Sequence, residues 1–320
     1  MSFNVVSDGM ADDVIVLTGA TATGKTELAI ALAKRIGAEI ISMDSRQVYA
    51  GMDIGTAKAS AAQRAQVPHY GLDRVTPDQR YSAGRFAREA RQWIADIQSH
   101  GRVAMLVGGT GFFLRALTHP LFEEPPLEAE RRAELHAVLG TMDSETLRRW
   151  VRRLDPDSPI AGEGGGRQRL ARTIEIPLLT GRSLSWWQLH AAQAEQPIRA
   201  TVFVLERPAD ALRTRIDARV HEMVSQGLAE EVRGLLAAGY TERDSGMSAT
   251  GYAEFIPHVR GAYPLERAIE LTQAATRRYA RRQRTWFRHQ LPEGAHRLDA
   301  DQPQDELLER VLELWKPSGH

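Results

Sequence analysis

Gly19, Gly24, Lys25 and Thr26 stand in the spacing G-x-x-x-x-G-K-[ST] within TGATATGKTE, residues 18–27. In a turn of this kind successive backbone N–H groups, opening onto a helix N-terminus, cradle phosphate oxygens. The lysine adds a point charge, and the threonine hydroxyl offers a ligand to Mg²⁺, the expected cofactor. The loop itself does not say which phosphoester it holds. Asp44 heads a polar cluster, DSRQ (44–47), and could bind a metal, take a proton or cap a helix. A third polar stretch, Gly108–Gly111, carries Thr110. Arg215 and Arg219 stand four apart, which turns both to one helix face, with Asp217 and Glu222 as alternative partners. Residues 277–288 hold six Arg and no acid, and Arg277, Arg281, Arg284 and Arg288 fall at i, i+4, i+7 and i+11. That single stripe fits phosphate contact along a nucleic acid.

The elements that must position these groups read as alternating strands and helices. DVIVLTGA (13–20) is a β-branched run ending in the Gly-rich turn, and KTELAIALAKRIG (25–37) has helical apolar spacing up to Gly37. AEIISMDS (38–45) and RVAMLVGGTG (102–111) are further strands, with a helix over 81–101 between them. Such units predict a P-loop NTPase-like α/β fold, a parallel sheet flanked by helices, with ligands at the carboxyl ends of its strands. The loops at Gly19–Thr26, Asp44–Gln47 and Gly108–Gly111 should therefore converge. From Pro120 a Pro- and acid-rich connection leads into Arg-rich helices, read as a mainly helical insert over 121–197. IRATVFVLE (198–206) returns to the sheet, 209–290 is helical, and the tail past 300 holds a last helix. The core is thus 1–120 with 198–320. GEGGGR (162–167) reads as a loop, and Trp186 and Trp187 as helix packing in preference to stacking on bases.

Composition narrows the class. Hydrophobic residues make up 42% and charged residues 26%, with 41 basic and 41 acidic, which fits a globular protein. No apolar run is long enough to span a bilayer, and the N-terminus has no basic leader, so a cytoplasmic protein without membrane contact is expected. There is no cysteine, which excludes disulfides and thiolate metal sites. Only four of the basic residues are lysine, and one of them is Lys25.

Taken together, DSRQVYAGMDIGTAK (44–58) after a P-loop strand resembles the tRNA dimethylallyltransferase (tRNA isopentenyltransferase) family. LVGGTGFFLRAL (106–117) is similar to its Gly-Gly-Thr-Gly loop, with Phe112-Phe113 where Leu-Tyr is more usual. RQRLARTIEIPLLTGRSLS (167–185), LRTRIDARVHEMVSQGLAEEV (212–232), SATGYAEF (248–255) and TRRYARRQRTWFR (276–288) resemble four more blocks in the family's order. Thr173 stands for Ala and Arg282 for Lys. The lack of a Cys-bearing finger fits the bacterial type.

The resemblance implies transfer of a prenyl group from dimethylallyl diphosphate to N6 of the adenosine 3′ of the anticodon. The P-loop then holds a departing diphosphate instead of ATP. It implies Asp44 as general base, Thr110 as an adenosine contact and Arg219 as a diphosphate contact, with Thr21 and Thr23 lining the entrance where donor and adenine meet. Asp44, Ser45, Arg46, Gln47 and Thr110 form its acceptor side. Arg132, Gln168, Arg169 and Arg172 of the insert, with Arg277, Arg281 and Arg284, are expected to hold the tRNA anticodon stem-loop, whose target base must leave its stack. The working unit is expected to be a monomer. A prenyltransferase acting on free adenine nucleotides shares the P-loop and Asp strand but needs no Arg-rich RNA surface. A small-molecule P-loop kinase would turn over ATP, and a non-catalytic RNA-binding protein would need neither Lys25 nor Asp44.

Overall fold

The computed structural model describes residues 14–119, 127–162, 165–190 and 196–315. Its strands are β1 (Ile15–Gly19), β2 (Ala38–Ser42), β3 (His69–Tyr70), β4 (Val103–Gly108), β5 (Thr201–Glu206) and β6 (His296–Asp299). The helices are α1 (Lys25–Ile36), α2 (Ala61–Arg64), α3 (Ala83–Ser99), α4 (Gly111–Thr118), α5 (Ala129–Thr141), α6 (Ser144–Leu154), α7 (Arg167–Thr180), α8 (Leu184–His190), α9 (Ala209–Ser225), α10 (Leu228–Ala237), α11 (Tyr252–Val259), α12 (Leu265–Gln290) and α13 (Gln304–Leu314). None is long and apolar enough to cross a membrane among the described residues.

All six strands are parallel, in the order β3-β2-β4-β1-β5-β6. Period-2 alternation sends Ile15, Leu17, Ala38, Ile40, Met105, Phe203, Leu205 and Leu298 to one core, where α1 adds Leu28, Leu32 and Ala33 and α13 adds Leu307 and Val311. Residues of the other parity, Val16, Ile41, Leu106 and Val204, are also buried, and α3 and α12 lie against β2, β4 and β1. The order brings β2, β4 and β1 side by side, so their carboxyl ends are neighbours. Thr18 straps two of them together, its Oγ1 donating to Gly108 O at 2.8 Å.

The chain divides into two compact units, 1–118 with 198–320 and 119–197. In the second, Leu139, Leu147, Val151, Leu170 and Ile174 of α5, α6 and α7 form a core of their own. The connection 120–126 and part of the Gly-rich segment 162–167 lie outside the described residues.

Three features were not expected. β3 and β6 are two- and four-residue edge strands, and β6 reads HRLD, with no apolar alternation to announce it. The helical run from 209 is broken where Gly227 adopts φ 100°, separating α9 from α10. Trp186 and Trp187 are half-exposed and not packed into a helical core. Trp186 stacks on His190 at 4.6 Å, with the Arg182 guanidinium 5.1 Å from its ring centre.

Candidate active site

The P-loop joins β1 to α1. Gly24 caps α1 in the left-handed region, φ 96°, and no side chain caps the helix. The first N–H groups of α1 are therefore available to an anion. Gly19 approaches β5 so closely that a Cβ there would stand 2.5 Å from Leu205 O. Lys25 Nζ folds back into the loop, donating to Gly19 O at 3.0 Å and Ala20 O at 2.7 Å. Thr23 is buried and donates to Ala20 O at 2.9 Å, so its hydroxyl braces the loop. Thr26 lies half-buried in the first turn of α1.

Helix α9 lays two arginines against this loop. Arg215 Nε donates to Ala22 O at 3.0 Å, and Arg219 Nη1 to Thr21 Oγ1 at 3.3 Å. Burial, followed by the facing charge of Arg219, lowers Lys25 to about 8, with Asp44 and Glu27 opposing. Burial also lowers Arg219 from its ordinary value, offset by Glu27, Asp44 and Glu222. Two cations thus confront each other beside an uncapped helix N-terminus, an arrangement that a polyanion relieves. Among the described residues no group of three or more His, Asp or Glu could hold a metal on its own. The donor set present, one hydroxyl beside a phosphate cradle, fits Mg²⁺ carried on substrate phosphates.

The second strand end supplies Asp44, whose Oδ1 accepts from Arg46 N at 2.8 Å, a local turn and not a helix cap. Ser45 N donates to Thr110 Oγ1 at 3.0 Å, and the two hydroxyls lie 3.3 Å apart. Thr110 N in turn reaches Met43 O at 3.3 Å. The Asp44 and Thr110 loops are therefore one hydrogen-bonded edge. Arg46 spans to Ser245 O and Ser248 Oγ, at 3.1 and 3.3 Å. A cavity of about 410 Å³ opens beside Ser45, lined also by Arg46, Tyr49, Arg80, Tyr81 and Ser248. A larger one, about 670 Å³, flanks the P-loop on its other side, bordered by Ala20, Thr23, Leu205, Arg284, Phe287 and Arg288.

Several expected contacts are internal in this structure. Gln47 accepts from Ser42 Oγ at 2.8 Å and donates to Thr56 O and Ala57 O, so it supports the loop behind Asp44. Arg277 pairs with Asp217 of α9, which takes it out of the exposed stripe, whereas Arg281, Arg284 and Arg288 remain exposed. In the second unit Arg132 and Arg172 converge on buried Glu175, at 2.5 and 3.0 Å, together with His136 at 3.1 Å. Gln168 and Arg169 are exposed at the start of α7.

Two site residues escaped the sequence reading. Tyr279 lies beside Thr110 and near Asp44, and burial pushes its phenol up to about 12, so it is neutral. Gln283 is buried, its Oε1 accepting from Thr21 N at 2.9 Å and its Nε2 donating to Gly109 O at 2.8 Å. Both lie on the face of α12 that also carries Trp286 and Phe287, and an amide at that spacing within an apolar face was the available signal.

The family described as IPP transferase matches residues 47–290. The tRNA dimethylallyltransferase of Geobacter metallireducens is 41% identical over 86% of this chain and 89% of its own length. That of Phenylobacterium zucineum is 41% identical over 89% and 92%. Among solved structures, the tRNA isopentenylpyrophosphate transferase of Bacillus halodurans superposes with a TM-score of 0.69 at 33% identity, covering 95% of each chain. A eukaryotic dimethylallyltransferase acting on tRNA reaches 0.79 at 27% identity, over 94% of this chain and 78% of its own. The chain belongs to the IPP transferase family, that of the tRNA dimethylallyltransferases.

Proposed function

We propose that the chain transfers the dimethylallyl group from dimethylallyl diphosphate to N6 of the adenosine 3′ of the anticodon in tRNA, releasing diphosphate. One observation carries the reading: a half-buried two-cation cradle, Lys25 and Arg219, adjoins a strand end that presents a carboxylate, Asp44. The family match and the tRNA-acting relatives support the acceptor.

The diphosphate sits on the N–H groups of the P-loop and α1, where Lys25 and Arg219 take up the charge that grows as the C–O bond breaks. Thr26 would hold Mg²⁺ on the diphosphate, which supplies further charge neutralisation when bound. N6 is a weak nucleophile because its lone pair is delocalised into the ring. Asp44 takes its proton as the C–N bond forms, through the carboxylate oxygen not engaged by Arg46 N–H. Thr110, held by Ser45, orients the base. Exposed Arg281 and Arg284 on α12, and Gln168 and Arg169 on α7, contact the stem-loop. A tRNA acceptor places the work in the cytoplasm.

The test is transfer of labelled dimethylallyl diphosphate to unmodified tRNA and, in parallel, to AMP. Label should enter tRNA only, and Asp44→Asn should slow it by about 10²–10⁴-fold while tRNA binding persists. Label on AMP alone, or ATP hydrolysis without transfer, would overturn the reading.

A further inference from the structure

The donor loop and the acceptor loop meet through one side chain that belongs to neither. Gln283, 6% exposed in the middle of α12, accepts from the backbone of the P-loop at Thr21 and donates to the backbone of the Thr110 loop at Gly109. The gap is narrow: a Cβ on Gly109 would stand 2.3 Å from Gln283 Nε2 and 3.2 Å from Gly19 O. Each end of the amide is committed. A carboxamide has one acceptor and one donor end, and only this polarity satisfies an N–H on one loop and a carbonyl on the other.

We infer that Gln283 is a positioning residue for the transfer step, fixing the separation between the departing diphosphate and the adenosine-orienting Thr110. The inference rests on the donor and acceptor assignment above. Its neighbours reinforce the role of α12. Tyr279, one turn earlier, lies beside Thr110. Trp286, just beyond, lies against Gly111, where a Cβ would be 2.3 Å from the indole. Arg277 holds α9, the helix of Arg215 and Arg219. The inner edge of one helix thus registers three parts of the site, and Gln283 is the member that touches donor and acceptor loops together. Reacting atoms must be brought to near-contact with aligned orbitals, and displacement by about 1 Å costs about 10²-fold in rate.

Gln283→Met keeps the side chain's length and burial but removes both hydrogen bonds. Measured in single turnover beside the unsubstituted enzyme, it should lower kcat by about 10²-fold, with KM for dimethylallyl diphosphate and Kd for tRNA within about threefold. Gln283→Glu supplies an independent readout. Ionised, its carboxylate faces Gly109 O with no donor; protonated, it reproduces the amide, accepting from Thr21 N–H and donating to Gly109 O. The ratio of its kcat to that of the unsubstituted enzyme should therefore rise as pH falls. Unchanged kcat in Gln283→Met, or a loss accounted for by weaker donor binding or a lowered melting point, would overturn the inference, as would a pH-independent ratio. Transfer by the unsubstituted enzyme in the same assay tests the functional reading separately.

Discussion

Gly108→Ala tests whether the juxtaposition of strand ends, and not the motif residues alone, makes the site. The methyl group would stand 2.0 Å from Met43 O and 2.3 Å from its carbonyl carbon, on the end of the adjacent strand. An ordinary contact is about 3.5 Å, so β2 and β4 must part by more than about 1 Å at their carboxyl ends. Neither side can yield by rotating a side chain, since the atoms met are backbone. Met43 immediately precedes Asp44, and its carbonyl accepts from Thr110 N, so the movement separates the base from the loop that orients the adenosine. Gly108 O is also the acceptor of Thr18 Oγ1, which ties the same strand to the P-loop strand. Overpacking of this kind costs about 1–3 kcal/mol, whereas the displacement should slow single-turnover transfer by about 10²-fold. The activity loss should therefore exceed anything the unfolded fraction explains. Gly109→Ala, whose methyl would stand 2.3 Å from Gln283 Nε2 and so push aside the tie between the two loops, should also slow transfer, and Gly140→Ala, with open space around it, should lose nothing. A folded Gly108→Ala enzyme that transfers at the unsubstituted rate would refute the reasoning.

Because burial and the facing Arg219 charge lower Lys25 to about 8, the ammonium loses its proton as pH rises through that value. Affinity for inorganic diphosphate without divalent cation should then fall by up to about tenfold per pH unit relative to Lys25→Arg, which stays charged; parallel profiles for the two proteins would contradict this. Arg281→Ala with Arg284→Ala should flatten the salt dependence of tRNA affinity by about one to two in slope. Arg277→Ala, whose charge is already paired with Asp217, should leave the slope unchanged. Glu175→Ala should destabilise the 119–197 unit by about 1–3 kcal/mol, read by limited proteolysis, because half-exposed Arg132 and Arg172 would face each other without their buried carboxylate.

The central strands and all three loops were legible because each is a local pattern. β1 and β4 are apolar runs that end in glycine, and Lys25, Asp44 and Thr110 come within a few residues of a strand end. The features that were not legible depend on partners far along the chain. Gln283 reaches Thr21 across 262 residues and Gly109 across 174. The Arg stripe was correct as a helical periodicity, yet periodicity cannot say that Asp217 stands opposite Arg277. Arg132 and Arg172 read as RNA contacts, and nothing in their spacing shows that buried Glu175 gathers them. Lys58, another of the few lysines, braces a loop through Asp53, Asp73 and Tyr49 O. Residue type alone does not separate it from Lys25; the Gly-x-x-x-x-Gly-Lys-Thr spacing does.

The weak nucleophilicity of an exocyclic amine explains why these ties matter. Charge must be accepted from the leaving group while a proton is withdrawn from the attacking nitrogen, and the two services come from different strand ends. Neither Lys25 with Arg219 nor Asp44 can compensate for a displaced partner, since electrostatic stabilisation and proton transfer both decay within an ångström or so of misplacement. Thr18 on Gly108 O, Ser45 on Thr110 and Gln283 between the loops are each hydrogen bonds across neighbouring strand ends, made by groups that need not touch substrate. Substituting Thr18 or Gln283 should therefore change kcat more than KM, whereas removing an exposed arginine that only binds tRNA should change KM more than kcat.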